Sequence, residues 1–177
     1  MSDGEFEEYL GGEFEHIMES VSPQSRRQLV NFSIKVMDEM KTVFKCERCG
    51  ACCVQSEGIE LEATDIKGMS RILKITPEDF EAKHVTVADD KKIMMADKKC
   101  DFLRPDNRCS VYSVRPNFCK KYPCGSDKVR AMIMISMYLV ATGARTIPIK
   151  TGCPALSKAE KDIDMSIRKY AQSVRIL

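Results

Sequence analysis

The sequence predicts an α+β fold that is mainly helical: a small single domain in which helices pack around cysteine-bearing loops, with a minor β-hairpin. Three observations predict it. Apolar residues recur at helical spacing in long segments over residues 22–44, 126–142 and 157–177. Only a short segment, over residues 84–96, has the composition of a hairpin. The nine cysteines lie between the helical segments, in stretches rich in turn-forming residues.

Length and composition fit one globular domain. The chain has 177 residues, of which 44% are hydrophobic and 31% charged, close to the averages of globular proteins. A chain of this length buries a sufficient core without disulfide bonds. We therefore expect a single domain over residues 22–177, preceded by an acidic, flexible segment over residues 1–21.

The N-terminal residues, the apolar runs and the cysteines together predict a cytoplasmic protein. The first residues, MSDGEFEEYLGG, have neither the basic nor the apolar region of a secretory signal. The longest apolar run, over residues 131–141, is too short to span a bilayer. In a reducing compartment clustered thiols more often serve metals or catalysis than disulfides, and the odd number of cysteines agrees with this.

The first segment is acidic and amphipathic. Residues 1–25 contain seven acidic residues and no lysine or arginine, and apolar residues recur at helical spacing from Phe6 to Val21. Gly11 and Gly12 would weaken a helix at its middle, because glycine loses the most conformational freedom on folding. We expect a helix that forms on docking, with this segment as the contact for a protein partner.

Start signals predict the next helices. Ser22 and Pro23 are typical of an N-cap and a first helical residue, for a helix that runs to Phe44. Thr64 would cap a short helix, and Thr76, directly before a proline, would cap another.

The second half of the chain is predicted from similar signals. Residues 84–96 place β-branched and methionine residues around an Asp89-Asp90 turn, which indicates a small hairpin. Ser126 precedes a segment that is apolar on nearly every face, as in a helix at the centre of a domain. The sequence SKAE over residues 157–160 predicts a capping box and a C-terminal helix over residues 157–177.

The cysteines form a pattern typical of metal sites. Four of them lie in CERCGACC over residues 46–53. A C-x-x-C turn directs two sulfurs at one metal while backbone N–H groups point at the sulfurs, and Gly50 relieves the resulting crowding. Buried apolar thiols are the alternative, which this density of cysteines disfavours. The remaining cysteines have turn-like flanks: Cys100, Cys109, Cys119, Cys124 and Cys153.

Over residues 46–154 the chain resembles the YkgJ-type cysteine-cluster family of zinc- or iron-chelating proteins. The family pattern C-x-x-C-x-x-C-C, C-x-F-L, C-x-V/I-Y, R-P-x-x-C and C-P is present as CERCGACC, CDFL, CSVY, RPNFC and CP. Cys124 departs from the pattern, because relatives usually have an apolar residue there. The resemblance implies cysteine-bound metal with the ligands Cys46, Cys49, Cys52, Cys53, Cys100, Cys109, Cys119 and Cys153.

Ligand type and spacing favour iron–sulfur and leave zinc open. Tetrahedral zinc needs four thiolates per ion, whereas C-x-x-C-x-x-C is the three-ligand run of ferredoxin-type clusters. We predict one or two iron–sulfur clusters of the 4Fe–4S type, with zinc as the alternative. Cys52 and Cys53 leave adjacent backbone positions in different directions, so we expect them to serve different centres. The predicted sets are Cys46, Cys49, Cys52 and Cys153 for one centre, and Cys53, Cys100, Cys109 and Cys119 for the other.

The predicted function is an iron–sulfur protein that carries electrons or assists an enzyme. A zinc-stabilised binding module is the alternative. Some longer relatives of the family are linked to methylation of flagellin lysines, which adds a cluster-dependent methyltransferase as a third class. The chain shows no glycine-rich S-adenosylmethionine loop and no catalytic motif, so no catalytic residue is predicted.

Charge and the remaining polar residues refine this interpretation. Residues 91–130 contain eleven basic residues against four acidic ones. These interleave with cysteines and would attract an anionic thiolate cluster, so we do not expect nucleic-acid binding. Arg115, which precedes a site-shaping proline, is a candidate to hydrogen-bond to sulfurs of the centre. His16 and His84 lie far from any ligand spacing and are not expected to bind metal.

Overall fold

The computed structural model describes residues 3–54, 58–88, 91–94, 100–149 and 152–176. It confirms the predicted fold class, because helices predominate and the described strands form one small antiparallel sheet. None of the described helices is long and apolar enough to cross a membrane. The elements are α1 (Asp3–Ser20), α2 (Pro23–Val43), α3 (Ala51–Val54), β1 (Ile59–Glu60), α4 (Ala63–Leu73), α5 (Pro77–His84), β2 (Val85–Ala88), β3 (Lys91–Met94), a 3₁₀ helix (Tyr112–Val114), α6 (Asn117–Lys121), α7 (Asp127–Ala141), α8 (Pro154–Lys158) and α9 (Glu160–Ala171).

The chain divides into two compact units. The helical unit comprises Met1–Lys45, Pro123–Lys150 and Pro154–Leu177, and the cysteine unit comprises Cys46–Tyr122 and Thr151–Cys153. In the helical unit α2, α7 and α9 pack against one another, and α1 packs against α7. α7 is the central helix predicted from its all-round apolar sequence, and seven of its residues are buried.

Serine side chains cap two long helices of the helical unit: Ser22, the predicted cap, and Ser126, which precedes the predicted central helix. The Ser22 hydroxyl accepts a hydrogen bond from the backbone N–H of Ser25 at 3.1 Å, at the start of α2. The Ser126 hydroxyl accepts one from the N–H of Val129 at 3.3 Å, at the start of α7. Each cap satisfies a backbone donor that the first helical turn leaves without an intrahelical acceptor.

α1 runs through Gly11 and Gly12 without interruption. A Cβ atom added at either glycine would meet nothing within 4 Å, so neither glycine is needed for a close approach. Leu10, Ile17 and the following Val21 are buried. Packing of this apolar stripe stabilises the helix despite the two glycines, because tertiary burial outweighs intrinsic helix propensity.

The predicted capping box at residues 157–160 is wrong. α8 already begins at Pro154 and ends at Lys158, and α9 begins after Ala159 without a side-chain cap. Pro154 is favourable at the first position of a helix, which explains the earlier start. α9 ends at Ala171. Of the apolar stripe expected over Ile163, Ile167, Tyr170, Val174 and Leu177, the first two and Val174 are buried, Tyr170 is half-buried, and Leu177 lies outside the described residues.

A polar network around Glu39 joins α2 to α9. The Glu39 carboxylate accepts hydrogen bonds from Lys169 Nζ at 2.6 Å, Ser166 Oγ at 2.5 Å and Tyr170 Oη at 2.7 Å. The bonds from Lys169, Ser166 and Tyr170 lower the pKa of Glu39 from 4.5 to about 2. Three donors on one carboxylate thus stabilise its charged form.

The cysteine unit contains the sheet, in the strand order β1-β3-β2. The predicted hairpin is β2 and β3, which pair antiparallel with Val85 opposite Met94; its Asp89-Asp90 turn lies outside the described residues. β1 adds a third strand that the sequence did not predict, because two residues are too few to show a strand period.

Two short helices of the cysteine unit begin at or near the predicted caps. α5 begins as predicted, with the Thr76 hydroxyl accepting the backbone N–H of Asp79 at 3.1 Å. α4 begins one residue before the predicted cap Thr64, and Asp65 accepts the backbone N–H of Glu62 instead.

Apolar side chains and thiols share the core of the cysteine unit. The rings of Phe80 and Phe102 stack with centroids 6.2 Å apart. Cys53 and Cys100 belong to the same buried cluster, and Cys52, Cys109 and Cys119 pack against it. The other buried members are Ile59, Leu61, Ile66, Met69, Met94 and Val111.

Candidate metal centre

The cysteines divide between the two units. The cysteine unit contains all eight predicted ligands, and Cys124 alone belongs to the helical unit. Burial raises the pKa of Cys124, with Lys41 and Asp38 as its charged neighbours. The one cysteine that departs from the family pattern thus belongs to a different unit from the rest.

The loop over residues 46–53 turns sharply at Arg48 and Gly50, which both have left-handed backbone angles, with φ of +56° and +77°. The backbone N–H of Arg48 donates a hydrogen bond to Cys46 Sγ at 3.4 Å. A Cβ at Gly50 would lie 2.7 Å from the carbonyl oxygen of Asn107 and 2.8 Å from a methyl carbon of Leu103. Glycine is therefore required where this loop meets the turn at residues 103–107.

Backbone N–H groups also act on two other cysteines. The backbone N–H of Phe102 favours the thiolate form of Cys100, and that of Val111 favours the thiolate form of Cys109, since each lowers the pKa of its thiol. In each case the donor lies two residues after the cysteine, as Arg48 does after Cys46. Such bonds stabilise a thiolate and orient its sulfur, and sulfurs that bind metal commonly accept them.

Cys53 interacts with two other thiols in the core. Cys53 forms hydrogen bonds with both Cys100 and Cys52, and these bonds together with burial raise the pKa of Cys53 strongly. The same bonds lower the pKa of Cys52 and of Cys100 to about 7. The Arg115 guanidinium lowers the pKa of Cys52 further.

This contact differs from the expectation that Cys52 and Cys53 point in different directions. The two residues lie in the short helix α3. Successive side chains in a helix are turned by about 100°, and not by the 180° of a strand, so neighbouring sulfurs approach each other.

Cys109 and Cys119 extend the group to five thiols. Both are half-buried and pack against the same apolar cluster. Burial raises the pKa of Cys119 to about 12, and the neighbouring sulfurs of Cys52 and Cys100 raise it in the same direction. Burial also raises the pKa of Cys109. Cys53, Cys109 and Cys119 therefore favour their protonated forms until a cation replaces the protons, whereas the lowered pKa values of Cys52 and Cys100 favour the thiolate.

The other three predicted ligands differ in exposure. Cys46 is exposed, Cys49 half-buried and Cys153 buried. Among the residues that the structure describes, no group of three or more His, Cys, Asp or Glu side chains is arranged to hold a metal ion. The structure therefore gathers five thiols without forming a complete coordination sphere, and the division of eight ligands into two sets stays a prediction.

Asp65 is a positioning residue that the sequence analysis missed. It is 5% exposed, and its carboxylate accepts the backbone N–H of Asn117 and that of Glu62, both at 3.1 Å. The Asn117 side-chain amide also donates to Glu62 at 2.9 Å. Asn117 is the first residue of α6, which carries Cys119. The spacing of Glu62 and Asp65, three residues apart before a helical segment, was the available signal.

His84 also lies nearer the cysteines than its sequence position indicated. Its ring contacts Phe80 and Phe102, with both centroid distances 5.1 Å. Its Nδ1 is 2.8 Å from a carboxylate oxygen of Asp101, the residue after Cys100. These contacts pack the ring into the core, and nothing in them assigns His84 as a ligand.

A stacked group of three side chains lies on the cysteine segments. The guanidinium carbon of Arg48 is 4.2 Å from the centroid of the Tyr112 ring, and that of Arg115 is 4.3 Å from it. Arg115, the basic residue singled out from sequence, thus stacks on a ring and also acts electrostatically on Cys52.

The donor set fits zinc or iron. It consists of thiols, which are the soft ligands that zinc and iron–sulfur clusters select. The sulfur of Cys46 accepts a backbone hydrogen bond, and backbone N–H groups favour the thiolate forms of Cys100 and Cys109. The five gathered residues that would hold metal are Cys52, Cys53, Cys100, Cys109 and Cys119, with Cys46, Cys49 and Cys153 as the other predicted ligands.

Comparison with protein families agrees with this chemistry. A family model described as "CxxCxxCC: Putative zinc- or iron-chelating domain" matches residues 45–137, which are 93 of the 177 residues. Seven of the eight predicted ligands lie in the matched region, and Cys153 lies beyond it. Searches of curated proteins and of solved structures find no match.

Proposed function

The chain belongs to the CxxCxxCC family of metal-chelating domains, and on this premise we propose that it is an iron–sulfur protein. It would carry electrons or serve as the cluster-bearing accessory of an enzyme. Metal binding through cysteine is what the family membership supports. The iron–sulfur identity and the redox role are the proposal.

The observation that carries the proposal is the gathering of five thiols in one apolar core. One tetrahedral zinc ion uses at most four of them. Cys52 belongs both to this group and to the C-x-x-C-x-x-C run, which is the three-ligand pattern of ferredoxin-type clusters. A site with more thiols than one zinc ion needs, on a ferredoxin-like spacing, favours iron–sulfur.

The surrounding residues fit the control of a bound cluster. An iron–sulfur cluster, when bound, accepts and releases one electron. Backbone N–H groups of Arg48, Phe102 and Val111 reduce the negative charge on three sulfurs, and Arg115 adds a positive charge nearby. Both effects would favour the reduced form of the cluster, because that form carries the more negative charge. Phe80 and Phe102 exclude water from the buried side of the site.

A cytoplasmic protein partner completes the proposal. Of the acidic residues of α1, Glu8, Glu15 and Glu19 are exposed, and Tyr9 is 48% exposed among them. This surface suits a basic protein partner better than nucleic acid, whose phosphates it would repel.

Anaerobic purification tests the metal assignment. We expect a brown protein that contains iron and acid-labile sulfide, and that loses both together with its visible absorption on treatment with an iron chelator. Cys124→Ser is the matched control and should keep the full iron content. A colourless protein with stoichiometric zinc and no sulfide would replace the proposal with its alternative.

That alternative, a zinc-stabilised binding module, has one observation in its favour. Cys53 and Cys100 are buried within the apolar core of the cysteine unit. Structural zinc sites contribute directly to folding, and a core that includes its own ligands is compatible with such a role. In that case the protein would bind its partner without a change of redox state.

A further inference from the structure

Tyr112 is the meeting point of three cysteine-bearing segments. Arg48 lies between Cys46 and Cys49, Tyr112 follows Cys109 by three residues, and Arg115 precedes Cys119 by four. The ring of Tyr112 has the guanidinium groups of Arg48 and Arg115 at 4.2 and 4.3 Å from its centroid. We call these three side chains the arginine clasp.

Both guanidinium groups lie at contact distance from the same ring. Each carries a positive charge, which the negative face of an aromatic ring attracts. Stacking on the tyrosine is a contact that the two guanidinium groups share, and it restricts the positions of both.

Arg48 connects this stacking to a sulfur. It is a non-glycine residue with a φ of +56°, a conformation that persists when surrounding contacts hold it. Its side chain lies on Tyr112, while its own backbone N–H donates to Cys46 Sγ. Fixing the side chain therefore fixes the donor that orients the sulfur of Cys46.

We propose that the arginine clasp positions Cys46 and Cys49 for metal binding by holding the exposed C-x-x-C loop on the segments that carry Cys109 and Cys119. The proposal rests on the assignment of Cys46 and Cys49 as ligands. Packing already gathers the five core thiols, so the clasp acts on the loop that packing leaves exposed.

Substitutions in the full chain separate stacking from charge. Tyr112→Phe keeps the ring, whereas Tyr112→Leu and Arg48→Gln remove the stacking. Arg104→Gln is the matched control. Arg104 is an exposed arginine of the same unit, and its substitution removes an equal charge without changing a residue of the arginine clasp. The anaerobically purified proteins are compared by iodoacetamide labelling of individual cysteines and by hydrogen exchange over residues 46–50.

We expect Tyr112→Leu and Arg48→Gln to accelerate labelling of Cys46 and Cys49 about two- to fivefold, as the loss of stacking by an exposed arginine implies. Labelling of Cys53 and Cys100 should stay unchanged. Tyr112→Phe and Arg104→Gln should behave as the wild type. If Arg104→Gln matched Arg48→Gln, charge and not stacking would be responsible, and the proposal would be overturned.

The outcome distinguishes this proposal from the metal assignment. If the wild type contained no metal, the proposed function would fail, and faster exchange over residues 46–50 in Arg48→Gln would still test the clasp. If the wild type contained metal while Arg48→Gln and Tyr112→Leu labelled at wild-type rates, the clasp would be wrong and the metal assignment would stand. Because Arg48 is exposed, Arg48→Gln should fold. It therefore tests the arginine clasp even if Tyr112→Leu does not fold.

Discussion

The helical unit and the cysteine unit differ in what fills their interiors. The helical unit buries aliphatic and methionine side chains along α1, α2, α7 and α9, with three buried serines among them. The cysteine unit has a smaller apolar core, and Cys53, Cys100 and Cys153 are among its buried residues. Thiols stabilise a core weakly unless they bind metal, because a cysteine is a small side chain. We therefore expect the stability of the cysteine unit, and not that of the helical unit, to depend on metal.

Metal removal should produce the largest difference between the two units. We expect a chelator to abolish hydrogen-exchange protection in the cysteine unit and to leave α2 and α7 protected. Structural metal sites contribute on the order of 10 kcal/mol to folding, more than a small unit has in reserve. Equal loss of protection in both units, or in neither, would show that the metal does not distinguish them.

Single cysteine substitutions should follow the same division. Cys119→Ser should remove one metal centre, because a serine hydroxyl is a poor substitute for a thiolate. Cys124→Ser, in the helical unit, should leave the metal content unchanged. Metal analysis of the two purified variants is the measurement. The ligand assignment fails if Cys119→Ser retains all its metal or if Cys124→Ser loses a centre.

Removal of residues 1–21 should weaken the helical unit without affecting metal. The truncation removes the buried side chains of Leu10 and Ile17 and exposes the residues that pack against them. Burial of each such side chain stabilises the fold by about 1.5–3 kcal/mol, so the loss of both should lower the free energy of unfolding by roughly 3–6 kcal/mol. Thermal melting should show the loss, while metal content per chain should stay at its full value. A truncated chain that could not bind metal would make α1 part of the metal-binding structure.

Asp65→Asn should produce a smaller effect in the cysteine unit. An asparagine side chain has one acceptor oxygen, so one of the backbone N–H groups of Glu62 and Asn117 loses its acceptor, at a cost of about 1–3 kcal/mol. Because Asn117 begins the helix that carries Cys119, metal should also transfer faster to a chelator. Unchanged transfer in a destabilised variant would limit Asp65 to a structural role.

The Glu39 network should give the smallest effect, in the helical unit. The pKa of Glu39 is lowered from 4.5 to about 2, so its contribution is present above pH 4.5 and is lost as the pH falls towards 2. The side chain is 36% exposed, and after solvent screening we expect Glu39→Gln to cost about 0.5–1 kcal/mol near neutral pH. Urea unfolding should show the difference from wild type shrinking below pH 4.5, and a constant difference would contradict this origin.

Local signals made much of the fold predictable. Ser22, Thr76 and Ser126 act on their own first turns, so the starts of α2, α5 and α7 follow from a few neighbouring residues. The capping box at residues 157–160 failed because Pro154 offered an earlier start. The pairing of β1 with β3 depends on residues more than 30 positions apart, which no local pattern encodes.

The candidate site was likewise predictable only where a local sequence pattern determines it. The cysteines could be assigned from spacing, but which of them touch could not, because the helix α3 that joins Cys52 to Cys53 was not predicted. The bond from Asn117 to Asp65 spans 52 positions. The contacts of Arg48 with Tyr112 and of His84 with Phe102 likewise form only when separate segments come together.

The close approach at Gly50 has a consequence for how this sequence can diverge. A side chain there would meet the backbone oxygen of Asn107 at 2.7 Å, and Asn107 itself has a left-handed φ of +61°. A backbone atom cannot move aside as a flexible side chain can. Replacement of the glycine would therefore have to be accompanied by insertion or deletion in the turn at residues 103–107. Across descendants of this sequence, the length of that turn and the presence of the glycine should be inherited together.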